Sequence, residues 1–286
     1  MTTGPQRDAV RPLGEALQES PQITPVPSGV EGLDDLFYLP RRHGKRVVAE
    51  PLGGLPRYAV MQVTGVSDTG KSLLVEQFAV AQAARGERCL FVTYENPAPF
   101  VAGGLRQRAE AMGVAEGNVE HGIVLVDGVR HEILARDLSA LLDTLDYALS
   151  VHEAGYLVMD SLTGLFEARE MLARDVVRPL FHFLKERRVT ALVVSQKRSG
   201  HEALTAEAAG GYAVGHILDG TLVLAKQAVM SYAQARLFRR PMGDLVRLFR
   251  IDGCRLAGHD TRTHLMGITP TGLVRIGPAL DELAGG

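Results

Sequence analysis

The stretch Gly65-Val66-Ser67-Asp68-Thr69-Gly70-Lys71-Ser72 holds the residue types and the spacing of a loop that wraps phosphate. Gly65 and Gly70 permit backbone angles that a side chain would resist. The N–H groups of such a loop, with the open N-terminus of a following helix, point at an anion. Lys71 brings a point charge for the outer phosphates, and the Ser72 hydroxyl is suited to a Mg²⁺ ion. The required setting is present as well. The apolar run Ala59-Val60-Met61-Gln62-Val63 precedes the loop, and Leu73 to Ala79 reads as a helix. A chance match in a loop lacks both flanks. The motif points to binding of a nucleoside triphosphate and says little about what its hydrolysis drives.

Three further polar residues close apolar runs. Arg88 to Tyr94 ends at Glu95, Tyr156 to Met159 ends at Asp160, and Thr190 to Ser195 ends at Gln196. ATP hydrolysis needs a metal, a positioned water and relief of charge on the transferred phosphoryl group. Asp160 suits the Mg²⁺-side carboxylate, directly or through water; its alternative is an N-cap of the next segment. Glu95 is the candidate water-orienting base, against a solvated loop residue. Gln196 is neutral and cannot be a base. At a strand tip it can hydrogen-bond the γ-phosphate and report its loss to residues 197–211, or it is simply a polar strand end.

The elements that would place these residues alternate. Apolar strands at 59–63, 88–94, 123–127, 156–160 and 190–196 are separated by helices at 73–79, 105–112, 133–152 and 174–188. That alternation predicts an α/β fold with a mostly parallel central sheet and helices on both faces. Ligands of such sheets sit at the carboxyl ends of the strands, where the loop, Glu95, Asp160 and Gln196 all fall. Past Gln196 the pattern changes. Lys197 to Gly211 reads as a mobile loop, 217–224 as a strand interrupted at Asp219-Gly220, and 231–238 as a helix. Strands near 246–251, 264–268 and 273–276 predict an antiparallel C-terminal extension, with Pro270-Thr271-Gly272 as its last turn.

The N-terminal part is less regular. Residues 1–25 read as a flexible arm, and 26–286 as one domain without an interior linker or repeat. Ser28 and Glu31 have the spacing of a capping box before a short helix at 32–38. The basic run Arg41-Arg42-His43-Gly44-Lys45-Arg46 reads as a solvated hairpin tip rather than a nucleic-acid contact.

Composition narrows the class. A chain of 286 residues has ample core for one large domain. A net charge of −2 gives no global attraction to nucleic acid or an anionic membrane. No apolar run approaches the roughly 20 residues that cross a bilayer, and Met1 to Gln22 lacks the apolar segment of a secretory signal. Two cysteines, Cys89 and Cys254, are too few for a disulfide framework or metal cage. A cytoplasmic protein is expected.

Val26-Pro27-Ser28-Gly29-Val30-Glu31-Gly32-Leu33-Asp34-Asp35-Leu36 resembles the opening P-[ST]-G-[IV]-x-G-L-D-x-L of KaiC-like ATPases in the RecA superfamily. The phosphate loop, Phe91 to Glu95, Leu157 to Ser161 and the late strands follow in the same order, so the resemblance spans about residues 26–277. It implies a RecA-like P-loop core and ATP with Mg²⁺. It also implies a homo-oligomer, a hexameric ring or a filament, with nucleotide at subunit interfaces. By it Glu95 matches the catalytic glutamate, Asp160 the metal-side aspartate and Gln196 the entry to a mobile loop. The sequence also departs from the family pattern. The clock members carry two tandem copies, and here there is one. Their paired glutamates read Glu95-Asn96. Their Lys-x-Arg-Gly, which reaches a neighbour's phosphate, reads Arg250-Ile251-Asp252-Gly253, leaving Arg250 as the candidate trans-acting finger. The segment 37–56 is an insertion relative to the usual short link, and no autokinase role carries over.

The remaining polar clusters have ordinary explanations. His259-Asp260 with His264 suits a polar hairpin better than a metal. Lys197-Arg198 and Arg239-Arg240 suit a solvated or interface face. Tyr212 and Tyr232 suit half-buried anchors as well as base-stacking platforms. The leading expectation is a slow KaiC-like ATPase whose turnover drives a conformational or signalling output through an unknown protein partner. One rival is a recombinase-like ATPase gripping single-stranded DNA with the 197–211 loop, whose Glu202 and Glu207 weigh against it. The other is a nucleotide-binding regulator with little turnover.

Overall fold

The computed structural model describes residues 7–165, 173–196 and 212–284. A short exposed helix α1 (Leu13–Glu19) precedes β1 (Pro25–Val26), which pairs with β4 (Leu55–Pro56). Between them lie β2 (Phe37–His43) and β3 (Arg46–Pro51), the expected basic hairpin, with exposed residues at its tip. The expected helix at 32–38 is absent: a single 3-10 turn, Asp34–Leu36, runs straight into β2. The backbone explains this. Gly29 and Gly32 have φ of 74° and 80°, off the helical path. A Cβ on Gly32 would stand 2.1 Å from the Ile276 carbonyl oxygen. The capping box does not form either. The Ser28 hydroxyl accepts from Val30 N–H, and Glu31 pairs with Arg275 at 3.0 Å.

The central layer is built from largely apolar, buried runs. Strand β5 (Val60–Gly65), buried along its length, feeds α2 (Lys71–Ala84), and β6 (Cys89–Thr93) leads to α3 (Ala98–Met112) and α4 (Glu116–Gly122). After β7 (Ile123–Asp127) the expected long helix is broken into α5 (Ile133–Arg136) and α6 (Leu138–Val151). Asp137 makes the break: its backbone is extended, and its carboxylate accepts from the N–H groups of Ser139 and Ala140. The pattern continues through β8 (Tyr156–Asp160), α7 (Ala173–Glu186) and β9 (Thr190–Gln196). The strand expected from 217 divides, with 217 ending the short helix α8 (Tyr212–Ile217) and the strand β10 (Gly220–Ala228) beginning after it. Then come α9 (Tyr232–Phe238), β11 (Leu245–Cys254), β12 (Gly258–His259), β13 (His264–Ile268), β14 (Val274–Ala279) and α10 (Leu280–Ala284).

The main sheet has nine strands in the order β14-β13-β11-β10-β5-β9-β8-β6-β7. From β10 to β7 every pairing is parallel, and β10, β11, β13 and β14 form the antiparallel extension. Alternate residues of each parallel strand face opposite helical layers. Phe91, Val158 and Val194 pack toward α2, α3 and α4, whereas Leu90, Leu157 and Val193 pack toward α6 and α7. The expectation of a parallel core with helices on both faces is met. The segment 37–56 forms most of a separate three-stranded sheet, β12-β2-β3. No described helix is long and apolar enough to cross a membrane.

Candidate nucleotide site

Strand order places the chemistry. In register, Gly65 of β5 lies beside Gln196 of β9, and Thr93 of β6 lies beside Asp160 of β8. Four adjacent strands therefore deliver the phosphate loop, Gln196, Asp160 and Glu95 to one edge. The loop turns tightly there. A Cβ on Gly65 would meet the Leu224 carbonyl oxygen at 2.2 Å, and Gly70 has φ of 101° as α2 begins. The Thr69 hydroxyl and the Lys71 ammonium both donate to the Val66 carbonyl, at 3.0 and 2.8 Å, drawing the loop around its own centre.

A cavity of about 450 Å³ opens at this edge. Ser67, Asp68, Gly70, Lys71, Ser72, Glu95, Asp160 and Gln196 line it, with Leu73 and Ile268. Gly65, Val66 and Thr69 shape the loop without lining the cavity. Hollows of about 590 and 600 Å³ exist elsewhere. Size does not single this cavity out; the convergence of a lysine, three carboxylates, two serine hydroxyls and a helix N-terminus does.

The electrostatics suit an anion held with a cation. Burial pushes the Asp160 carboxyl up to about 6, against the nearby Ser72 hydroxyl, which pulls it down. Asp160 Oδ1 is buried with no hydrogen-bond partner among the described residues. A bare carboxylate oxygen beside a hydroxyl is a fitting donor set for a hard divalent ion. Burial lowers the Lys71 ammonium below its usual value, opposed by Asp160 and Glu95. Glu95 is exposed and accepts from Gln196 Nε2 at 2.8 Å, so the candidate base and the candidate sensor touch.

Other residues hold these in place, and sequence reasoning did not single them out. Thr163 Oγ1 accepts from Gln196 N–H at 2.9 Å, and Tyr94 N–H donates to the Asp160 carbonyl at 2.8 Å. Asp68 pairs with Lys226 at 3.0 Å. Lys226 lies 158 positions away along the chain, and no local pattern signals such a partner. Arg250 is not brought to this cavity. It sits on β11 opposite Val223 and pairs with Asp252 at 2.5 Å.

Asp260 is held by Arg262, and His264 Nδ1 lies 3.0 Å from the Gly277 carbonyl, as a polar hairpin requires. No metal-sized cluster of His, Cys, Asp or Glu occurs among the described residues. Tyr232 is exposed, since its helix leaves it outside the core; the side chain of Tyr212 and residues 197–211 lie outside the described residues.

A parallel core with the phosphate loop between its first strand and first long helix defines a P-loop nucleotide-binding protein with a RecA-like fold. More narrowly, the chain belongs to the KaiC ATPase family, whose description matches residues 26–281. Among relatives, it is 27% identical over 266 residues to a UPF0273 protein of Aeropyrum pernix, covering 87% of this chain and 92% of that one. It is 26% identical over 191 residues to the circadian clock oscillator protein KaiC of Thermostichus vulcanus. That match covers 63% of this chain and 33% of the clock protein. The crystal structure of a KaiC-like protein from Pyrococcus horikoshii superposes with a TM-score of 0.66 at 24% identity, covering 90% of this chain and all of that one.

Proposed function

We propose that residues 26–286 act as one ATPase unit that binds ATP with Mg²⁺ in the cavity beside Lys71 and hydrolyses it slowly. The observation that carries this reading is the meeting of Lys71, Glu95, Asp160 and Gln196 in one cavity, with a buried Asp160 oxygen left unpaired. The loop N–H groups and the Lys71 ammonium hold the phosphates, and a phosphoryl oxygen competes with the Val66 carbonyl for that ammonium. Ser72 and Asp160 hold the divalent ion, which would neutralise charge on the phosphoryl group. Glu95 takes the proton of the attacking water. It does so only when its carboxylate is free of Gln196, and this engagement supports slow turnover. Gln196 in turn links the state of Glu95 to residues 197–211.

The family resemblance supports a homo-oligomer with nucleotide between subunits. Arg250, which stays away from the cavity of its own chain, then reaches a neighbour's nucleotide. Turnover drives a conformational or signalling output through a protein partner in the cytoplasm. The single-stranded DNA alternative depends on residues 197–211 and has no separate support. Phosphate release from ATP with and without Mg²⁺ tests the reading. Metal-dependent turnover lost in Glu95→Gln upholds it. Unchanged turnover in that variant removes Glu95 as the base, and a wild type that binds ATP without cleaving it leaves a regulator.

A further inference from the structure

Asp68 is an odd residue to find inside a loop built for phosphate. Its backbone adopts φ of 61°, a region that glycine enters freely and aspartate tolerates. Its side chain is 76% exposed and lines the cavity, where a carboxylate repels a polyphosphate. Two cations answer that charge. Lys226 Nζ donates to Asp68 Oδ2 at 3.0 Å, and Arg247 Nη2 stands 4.0 Å from the same oxygen. They come from β10 and β11, directly opposite each other in register, so both project from one face of the hairpin.

Neither cation is used up by Asp68. Among the described residues Arg247 makes one long ion-pair contact, to Asp68, and its Nε is buried with no hydrogen-bond partner. A buried guanidinium N–H without an acceptor is costly, and Asp68, which lines the cavity, ties both cations to its rim. Lys226 also lies close enough to Lys71 to help lower the latter's affinity for its proton. An anion drawn to Lys71 is therefore drawn to Lys226.

We propose that Lys226 and Arg247 form a second phosphate-binding element of the nucleotide site, supplied by the same chain. Asp68 holds the pair at the loop, and an incoming triphosphate takes over Lys226. The proposal rests on the ATP reading above and names the residues that distinguish a triphosphate from a monophosphate. Lys226 and Arg247 are positioning residues for the outer phosphates; Asp68 sets how strongly those phosphates must compete.

The test is equilibrium titration of the full chain with fluorescent ATP and AMP analogues, alongside thermal melting. Lys226→Gln weakens ATP binding at least about tenfold, the value of a lost charge-assisted hydrogen bond, and leaves AMP binding within about twofold. Asp68→Asn tightens ATP binding severalfold by removing a like charge. In the Lys226→Gln background the same change gains more, because the carboxylate is there uncompensated. Arg247→Lys retains ATP affinity that Arg247→Gln loses. ATP binding by Lys226→Gln within about twofold of wild type overturns the proposal. Should Lys226→Gln melt early, Asp68→Asn alone decides: tighter binding supports the proposal, and unchanged or weaker binding overturns it. A folded wild type that binds no ATP sinks the ATP reading itself, a result independent of Lys226.

Discussion

Asp160 sets the terms of the site at the scale of single residues. Its carboxyl, raised to about 6 from an ordinary 3.8, holds its proton longer in the folded protein than in the unfolded chain. Stability from this group is therefore full below about pH 4 and falls as pH rises toward 6. In the proposed metal role binding would run the opposite way, because only the carboxylate form would hold the ion. Turnover should rise with pH through an acid limb near 6. Asp160→Asn should abolish that limb, lower metal-dependent turnover by about 100-fold or more, and raise the Tm of the nucleotide-free protein at pH 7. A pH–rate profile and a melting curve check the three together. With Glu95 as the proposed base, Glu95→Gln should lower kcat about 100-fold with little change in KM, since a base acts in the transition state rather than in binding. Gln196→Ala has a different signature. It frees Glu95 from a hydrogen bond and should change kcat without changing ATP affinity, as steady-state kinetics and nucleotide titration will show.

At the scale of elements, the site depends on how α2 is braced. Arg108 of α3 is buried, reaches Glu76 of α2 at 3.3 Å, and donates to the carbonyls of Thr271 and Gly272 in the β13–β14 turn. One guanidinium thus ties the helix that follows the phosphate loop to a second helix and to the antiparallel extension. Burial already raises the Glu76 carboxyl, with Arg108 opposing. Removing the cation leaves that charge buried and alone. Arg108→Met should cost about 3 kcal/mol, read as a lower midpoint in urea, and adding Glu76→Gln should restore part of it. If Arg108→Met unfolds at the wild-type midpoint, the brace is incidental. The break at Asp137 is a second lesson of this scale. Ile133, Leu134, Leu138, Leu141 and Leu145 keep helical spacing across it, so periodicity alone could not reveal two helices.

At the scale of the whole molecule, the main sheet is open, with β7 and β14 as its edges among the described residues, and the cavity lies where four of its strands end together. If nucleotide bridges subunits, ATP with Mg²⁺ should raise the particle mass in solution, and Arg250→Ala should lower turnover while leaving binding by the isolated chain intact. Native mass measured beside phosphate release checks both. A monomer with full turnover ends the bridging idea.

Much of this was written along the chain. The glycine–lysine–serine spacing sits between an apolar strand and a helix, and Glu95, Asp160 and Gln196 each close an apolar run. Local pattern suffices for such residues, because a parallel sheet gathers its strand ends on one edge whatever the order. Only the tertiary structure decided that β5, β9, β8 and β6 are neighbours, which puts Gln196 on Glu95 and leaves an Asp160 oxygen bare. It alone brought Thr163 under Gln196, and Lys226 and Arg247 against Asp68. Those contacts join segments far apart in sequence, and their partners are chosen by strand order and register, quantities no local spacing encodes.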